Sequence, residues 1–288
     1  MNKKIELIDV SYVYGERTPF EITALKNVNL NIEAGSVTGI IGHTGSGKST
    51  LVRLFNGLER PASGKVLLDG VDIWEKPKEI GKVRYRVGLV MQYPEYQLFE
   101  ETVAADIAYG PKNMGLDADA VEERVKKYSA LVGLSEEDLQ KSPFELSGGQ
   151  KRRAAIAGIM AMKPEVLVLD EPAAGLDPVG RNLIFDAIEE YRAVEGATVI
   201  IVSHSMEDMA ARCDRVIVMS DGEVVADGTR DEVFSCADKL VSVGLDVPEI
   251  TKLAELLASR GFDFGKTVYT VSDAADIICR ALSGGGNE

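Results

Sequence analysis

Residues Gly42 to Thr50 read GHTGSGKST, a match to G-x-x-x-x-G-K-[ST]. The run before it, SVTGII, is apolar without alternation, and the run after it, LVRLFNGL, has helical spacing. A buried strand that turns through glycines into a helix is the setting in which this pattern cradles phosphate. Glycine lets consecutive N–H groups point at one anion, and the helix start adds its positive dipole end. The residues expected around a nucleoside triphosphate are Gly42, His43, Thr44, Gly45, Ser46, Gly47, Lys48, Ser49 and Thr50. Lys48 is placed to reach the β- and γ-phosphates, and the Ser49 hydroxyl to meet Mg²⁺.

Such a loop needs a parallel sheet around it, and the sequence supplies one. VLVLD and TVIIVS are further apolar runs without alternation, as expected of strands buried on both faces. RNLIFDAIEEYR lies between them and sets Leu183, Ile184, Ala187, Ile188 and Tyr191 on one helical face. RVGLVMQ (Arg86 to Gln92) reads as another strand. Alternating buried strands and helices predict an α/β fold with ligand loops at the strand ends. The first 75 or so residues differ. KIELIDVSYVY alternates, and Asp-Gly turns at Asp69-Gly70 and Asp221-Gly222 predict hairpins, so an antiparallel β subdomain precedes the core. Residues 93 to about 160 are more polar and read as a helical subdomain inserted between core strands. The main domain is expected to span residues 1–243. From 244 to 288 the composition shifts to two helical patterns around a turn, read as a small C-terminal α/β appendage with a flexible SGGGNE tail.

Composition narrows the function. A formal net charge of -14 argues against a nucleic-acid partner, because phosphate neutralisation needs clustered Lys and Arg. It argues equally against direct docking on anionic lipid. No run of about 18 apolar residues is present to span a membrane, and the N-terminus lacks a signal-peptide core. Two histidines, His43 and His204, are too few for a His-rich metal site. Cys213, Cys236 and Cys279 are widely spaced and read as small buried hydrophobes in a reducing compartment.

EVLVLDEP (Glu165 to Pro172) ends a buried strand in two acids. Asp170 at the strand end can hold a Mg²⁺ shell. Glu171, one residue on, can polarise an attacking water. LSGGQ (Leu146 to Gln150) opens another helix, KRRAAIAGIM. AAGLDP follows the two acids, and VSHS carries His204 at the end of the next buried strand. This set, in this order, resembles the nucleotide-binding subunit of ABC transporters over residues 4 to about 235. The resemblance implies an ATPase with a P-loop NTPase core of ABC type, using ATP as substrate and Mg²⁺ as cofactor. It implies two subunits facing head to tail, the phosphate loop of one meeting Ser147, Gly148, Gly149 and Gln150 of the other. Asp177 would touch the opposite subunit. Gln92 would contact the metal and the water. His204 would hold the γ-phosphate and the water together with Glu171, so the catalytic set is Glu171, His204 and Gln92. The metal set is Ser49, Gln92 and Asp170. Tyr14 would stack on adenine. Tyr12 is the rival on the same face, and Tyr14 is preferred because it is nearer the turn at Gly15. Ala173 stands where the family usually has Thr or Ser, which removes one hydroxyl.

QYPEYQLFEETVAADIAYGPKNMG and the C-terminal appendage, with its PEI, look like the ATP-binding subunits of energy-coupling factor transporters, which take up vitamins and cobalt or nickel. The chain most resembles the second of their two paralogous ATPases. The resemblance implies a sister ATPase, as a heterodimer with a homodimer as the alternative. It also implies a transmembrane coupling protein, a membrane substrate-binding protein, and a peripheral position at the cytoplasmic face of the cell membrane. It implies that Glu95, Tyr96, Leu98, Phe99, Glu100 and Glu101 face coupling helices that carry arginines. The apolar side chains would seat a helix and the acids would take guanidinium groups. The alternative is that these acids are the solvated first turn of a helix. The appendage would extend the ATPase dimer or act as a passive cap. A competing function is a soluble single-cassette ATPase of cluster-assembly type.

Overall fold

Two β-sheets enclose one helix between them. The computed structural model describes residues 2–262, 264–265 and 267–284. Strand β1 (Lys3–Tyr14) pairs antiparallel with β2 (Ile22–Glu33), which is followed by β3 (Val37–Gly42) and helix α1 (Lys48–Phe55). On its other side β1 pairs with β4 (Ser63–Leu68), and β5 (Val71–Asp72) completes that sheet in the order β2-β1-β4-β5. After α2 (Ile80–Arg86) comes β6 (Val87–Val90), then the helices α3 (Val103–Asn113), α4 (Ala118–Leu131), α5 (Glu136–Gln140) and α6 (Gly148–Met160). The chain continues through β7 (Val166–Asp170), α7 (Pro178–Glu195), β8 (Thr198–Val202), α8 (Met206–Arg212), β9 (Arg215–Ser220) and β10 (Glu223–Thr229). Helices α9 (Arg230–Phe234), α10 (Ala237–Ser242), α11 (Glu249–Ala258) and α12 (Val271–Gly284) end it.

The second sheet has the order β10-β9-β3-β8-β7-β6. Its neighbours pair in parallel except β10, which returns antiparallel on β9. That return uses the expected turn, with Asp221 and Gly222 at φ 50° and 82°, the left-handed pair of a type I′ hairpin. Successive residues of the parallel strands enter opposite cores. Ile41, Leu167, Leu169, Val199 and Ile201 face the helical layer. Ile40, Val166, Val168, Ile200 and Val202 face α1 and the antiparallel sheet. Leu51, Val52, Leu54 and Phe55 of α1 are buried in that second core, so the helix after the phosphate loop is fixed from both sides.

Several expectations are corrected. The core face of α7 is Ile184, Phe185, Ala187, Ile188 and Tyr191; Leu183 is 41% exposed, because the helix begins at Pro178 and is rotated to bury Phe185. The strand expected from Arg86 to Gln92 is shorter, since Arg86 closes α2 and pairs with Glu165 and Asp69. The appendage is helical and has no strand among the described residues. Its extended segment is taken up by α11 instead, with Thr251 Oγ1 donating to Val268 O at 2.7 Å. Cys213 is buried, whereas Cys236 and Cys279 are exposed.

One ion network ties the two sheets. Lys4 of β1 and Arg86 of α2 both bond Asp69 and Glu165. The Arg86 hydrogen bond, followed by Lys4, holds the Glu165 carboxyl well below the usual 4.5, at about 2. A depressed carboxyl contributes stability above its unfolded value and loses it as pH falls through the folded one. Discounted for solvent exposure, the contribution is on the order of 1 kcal/mol. Glu165→Gln is therefore expected to lower urea stability by about that amount at pH 7. The difference from wild type should shrink as the pH is taken from about 4.5 down toward 2, which parallel urea titrations measure.

Candidate functional site

Because β3, β8, β7 and β6 are adjacent and parallel, their carboxyl ends open on one edge. Gly42 ends β3, Ser203 and His204 follow β8, Asp170 ends β7 with Glu171 just beyond it, and Gln92 follows β6. A cleft of about 800 Å³ lies there, lined by the phosphate loop, Gln92, Asp170, Glu171 and His204. Gly42 is a steric requirement: a Cβ there would sit 2.4 Å from Met219 O and 2.5 Å from Ser46 Oγ. Lys48 Nζ donates to Gly42 O at 2.6 Å and to His43 O at 2.9 Å, so its ammonium lies at the mouth of the loop. Burial lowers the Lys48 pKa, and the charges of Glu171 and Asp170 oppose the shift.

Ser49 Oγ donates to Asp170 Oδ2 at 3.0 Å. Burial raises the Asp170 pKa; the Ser49 hydrogen bond works against that, and the neighbouring Glu171 charge adds to it. A hydroxyl and one carboxylate, with Gln92 on the same cleft wall, form a hard oxygen set. That set fits Mg²⁺, which takes few protein ligands and completes its shell with water and phosphate. Glu171 stands at φ 54°. Its Oε1 accepts from His204 N at 3.0 Å and faces His204 Nδ1 at 2.7 Å, while Oε2 accepts from Ser203 Oγ at 3.3 Å.

The two tyrosines separate. Tyr14 lines the cleft beside Ile22 and Thr23, and its hydroxyl meets Thr50 Oγ1 at 3.0 Å. Tyr12 stacks edge-on against Tyr14, with centroids 4.8 Å apart, but donates its hydroxyl to Glu59 and is absent from the cleft wall. A bulge in the β1–β2 ladder between Tyr12 and Val13 accompanies this divergence.

Ser147, Gly148, Gly149, Gln150 and Asp177 do not line this cleft. Ser147 caps α6, its Oγ accepting from Gln150 N at 3.3 Å, and Gln150 Oε1 accepts in return from Ser147 N at 3.0 Å. Gln150 Nε2 donates to Asp138 at 3.1 Å, so the side chain holds its own turn in shape. Asp177 caps α7, its Oδ1 accepting from Gly180 N at 2.7 Å. Gly148 is different: a Cβ there would meet nothing within 4 Å, and at Gly149 only Leu176 at 3.5 Å.

A model of the ABC transporter family matches residues 25–174. The energy-coupling factor transporter ATP-binding protein EcfA2 of Clostridium acetobutylicum is 52% identical over 96% of this chain and 98% of its own length. The chain belongs to the ABC transporter family. The protein of the same name from Clostridium perfringens is 50% identical over 98% of this chain and 99% of its own. Among solved structures, cbiO1 of Clostridium perfringens, described as part of the ABC transporter complex cbiONQ, aligns with a TM-score of 0.75 at 39% identity. That alignment covers 88% of this chain and 100% of cbiO1. The ATP-binding cassette MJ0796, in a dimeric post-hydrolysis state bound to ADP and Pi, gives 0.72 at 29% identity, over 78% of this chain and 98% of that one. Membership makes the chain an ABC ATPase with a mixed α/β cassette.

In this ABC cassette the side chains of the strip after Gln92 have different surroundings. Glu95 is turned inward: Arg152 Nε and Nη2 donate to its two oxygens at 3.2 and 3.1 Å. Arg152 is 4% exposed and also donates to Ala174 O. Both Glu95 oxygens are engaged by Arg152 and its side chain is only 18% exposed, so within this chain Glu95 serves an internal ion pair. Leu98 is half-buried against the helical core. Tyr96, 84% exposed, and Phe99, 61% exposed, remain outward. Phe99 packs edge-on against Tyr109 with centroids 4.9 Å apart. Asp106 receives the N–H groups of Phe99 and Glu100 at 3.1 and 3.2 Å, fixing the turn. Arg152, Asp106 and Ser203 are the residues missed in sequence. Arg152 lies in a KRR run that reads as a solvated helix face, and nothing local marks it as buried.

Removing one partner of a buried pair leaves the other charge uncompensated. Glu95→Ala is expected to destabilise the fold by about 3 kcal/mol, whereas Glu100→Ala and Glu101→Ala should stay within about 0.5 kcal/mol. Chemical denaturation of the three variants measures the difference.

Proposed function

We propose that this chain is the ATP-hydrolysing motor subunit of an energy-coupling factor importer, driving uptake of a vitamin or a transition-metal ion through membrane partners. The observation that carries the reading is the Glu171 carboxylate, held by Ser203 and His204 across the cleft from Lys48 and Ser49. Ser49, Asp170 and Gln92 would hold Mg²⁺, which when bound neutralises charge on the β- and γ-phosphate oxygens. The loop from Gly42 to Thr50 binds the phosphates, Lys48 reaches the γ-phosphate, and Tyr14 stacks on the base. Glu171 takes a proton from water as its oxygen attacks the γ-phosphorus. The bond to the bridging oxygen breaks, and ADP leaves with that electron pair. His204, oriented through Nδ1 on Glu171, keeps the water and the γ-phosphate in line.

Ser147, Gly148, Gly149 and Asp177 serve the facing subunit's nucleotide, while Gln150 shapes their turn. The facing subunit is read as a sister ATPase; the open space at Gly148 and the dimeric cassettes similar to this chain support a second cassette there. The segment from Gly244 to Asp246 lines the nucleotide cleft, which supports a part for the appendage (residues 244–288) in the ATPase contact. Among the described residues no helix is long and apolar enough to cross a membrane. Membrane partners are instead expected to dock at the cytoplasmic face on Tyr96 and Phe99, with Glu100 and Glu101 receiving their cations.

Two experiments test the reading. Glu171→Gln should bind ATP normally and turn over at most about a hundredth as fast; near-normal phosphate release by that variant would sink the catalytic assignment. Glu100→Lys with Glu101→Lys should abolish co-purification with the membrane subunits while ATP binding by the chain stays unchanged. Unaltered assembly and transport would remove the docking surface and leave the ATPase in place.

A further inference from the structure

The segment that holds Glu171 is itself held from behind. Ser203 Oγ, the donor to Glu171 Oε2, accepts the N–H of Ser205 at 3.1 Å. Ser205 Oγ accepts Asp208 N at 3.2 Å, capping α8, and also accepts Arg181 Nη2 at 3.1 Å. Arg181 Nε donates to Asp208 Oδ1 at 2.9 Å, and Nη2 reaches the same oxygen. One guanidinium therefore bridges both members of the capping turn. Arg181 lies in the first turn of α7, and its N–H donates to Asp177 O at 2.9 Å. Asp177 is the residue assigned to the facing subunit.

Helix α8 does not need Arg181 for its start. Ser205 already supplies the cap, and Glu207 and Asp208 occupy the first turn, where negative charge is favoured. The ion pair is exposed on one side only, the Arg181 side chain at 37% and the Asp208 side chain at 11%, so water still reaches the guanidinium and screens its charge. What the guanidinium adds is a fixed separation between the start of α7 and the segment from Ser203 to Ser205. Among the described residues, every hydrogen bond to the Glu171 carboxylate comes from that segment. Attack geometry tolerates little error, and a shift of about 1 Å costs on the order of a hundredfold in rate.

We propose that Arg181 is a positioning residue that ties the segment carrying Ser203 and His204 to the Asp177 turn. Seating of that turn by the second subunit then sets the orientation of the Glu171 carboxylate. The inference rests on the reading of Glu171 as the general base.

The test uses the full chain with Arg181→Gln, Arg181→Lys, Ser203→Ala, the Arg181→Gln/Ser203→Ala double variant, and Glu171→Gln alongside. Arg181→Gln should lower kcat about tenfold, with KM for ATP, fluorescent-nucleotide affinity and thermal midpoint close to wild type. Arg181→Lys should not restore kcat, since an ammonium has no fork to span Ser205 and Asp208. The double variant should cost no more than the larger single, because both changes break one chain of bonds. A kcat within twofold of wild type overturns the proposal. So does a loss of kcat matched by losses of nucleotide affinity and thermal midpoint, which marks a structural role. Normal turnover by Glu171→Gln would instead overturn the reading of the site itself.

Discussion

Burial of β3 on both faces is the constraint from which the site follows. Ile40 enters one core and Ile41 the other, so the strand has no free face on which to carry chemistry. Its function has to emerge at its end. Its neighbour β8 and the adjoining β7 and β6 are parallel and equally buried, so their polar residues emerge at the same edge. The four strand ends converge because the sheet between them is dry. Gly42 is the tightest point of that arrangement, since its missing side chain is what lets the loop turn under the Met219 carbonyl.

The same chain carries features that its own fold does not require. Glycine at a helix start usually costs stability relative to alanine. Among the described residues nothing comes within 4 Å of the Cβ position of Gly148, and neither Gly148 nor Gly149 adopts a left-handed backbone. Ser147 and Gln150 could hold their capping box with alanines between them. Under the proposed head-to-tail pairing these bare N–H groups would face the nucleotide held by the second subunit, while this chain's own cleft would face the corresponding groups of that subunit. Arg152 has the opposite character: a full positive charge is buried for purely internal reasons, joining the turn after Gln92 to α6 and to the loop after Glu171.

What was legible in sequence was what depends on neighbours in the chain. The phosphate loop, the non-alternating strands, the Asp-Gly hairpins and the paired acids are local patterns, and each lies where its pattern places it. What was not legible depends on which element packs on which. Leu183 and Phe185 are both apolar and two residues apart, and only the way α7 packs on the sheet decides that Phe185 goes in. Glu95 looks no different from Glu100 and Glu101 until α6 brings Arg152 beneath it. The extended run in the appendage has strand-forming residues, but with no sheet edge beside it the Thr251 hydroxyl takes the Val268 carbonyl instead.

The Glu171 carboxylate illustrates how a local irregularity serves the cleft. Along a regular strand Asp170 and Glu171 would point to opposite faces, and one of them would be lost in a core. Glu171 instead takes φ 54°, a conformation that costs a non-glycine residue roughly 1–2 kcal/mol. Its N–H still donates to Val202 O at 2.9 Å, so the chain stays anchored to β8 through the turn. The result is that Asp170 faces Ser49 while Glu171 faces Ser203 and His204, and both acids open on the same cleft. The strain persists because three donors from one short segment fix the carboxylate. A carboxylate that depends on those donors is only as well ordered as the segment that carries them, so the bonds that anchor Ser203 and Ser205 reach beyond helix capping to the edge of the cleft.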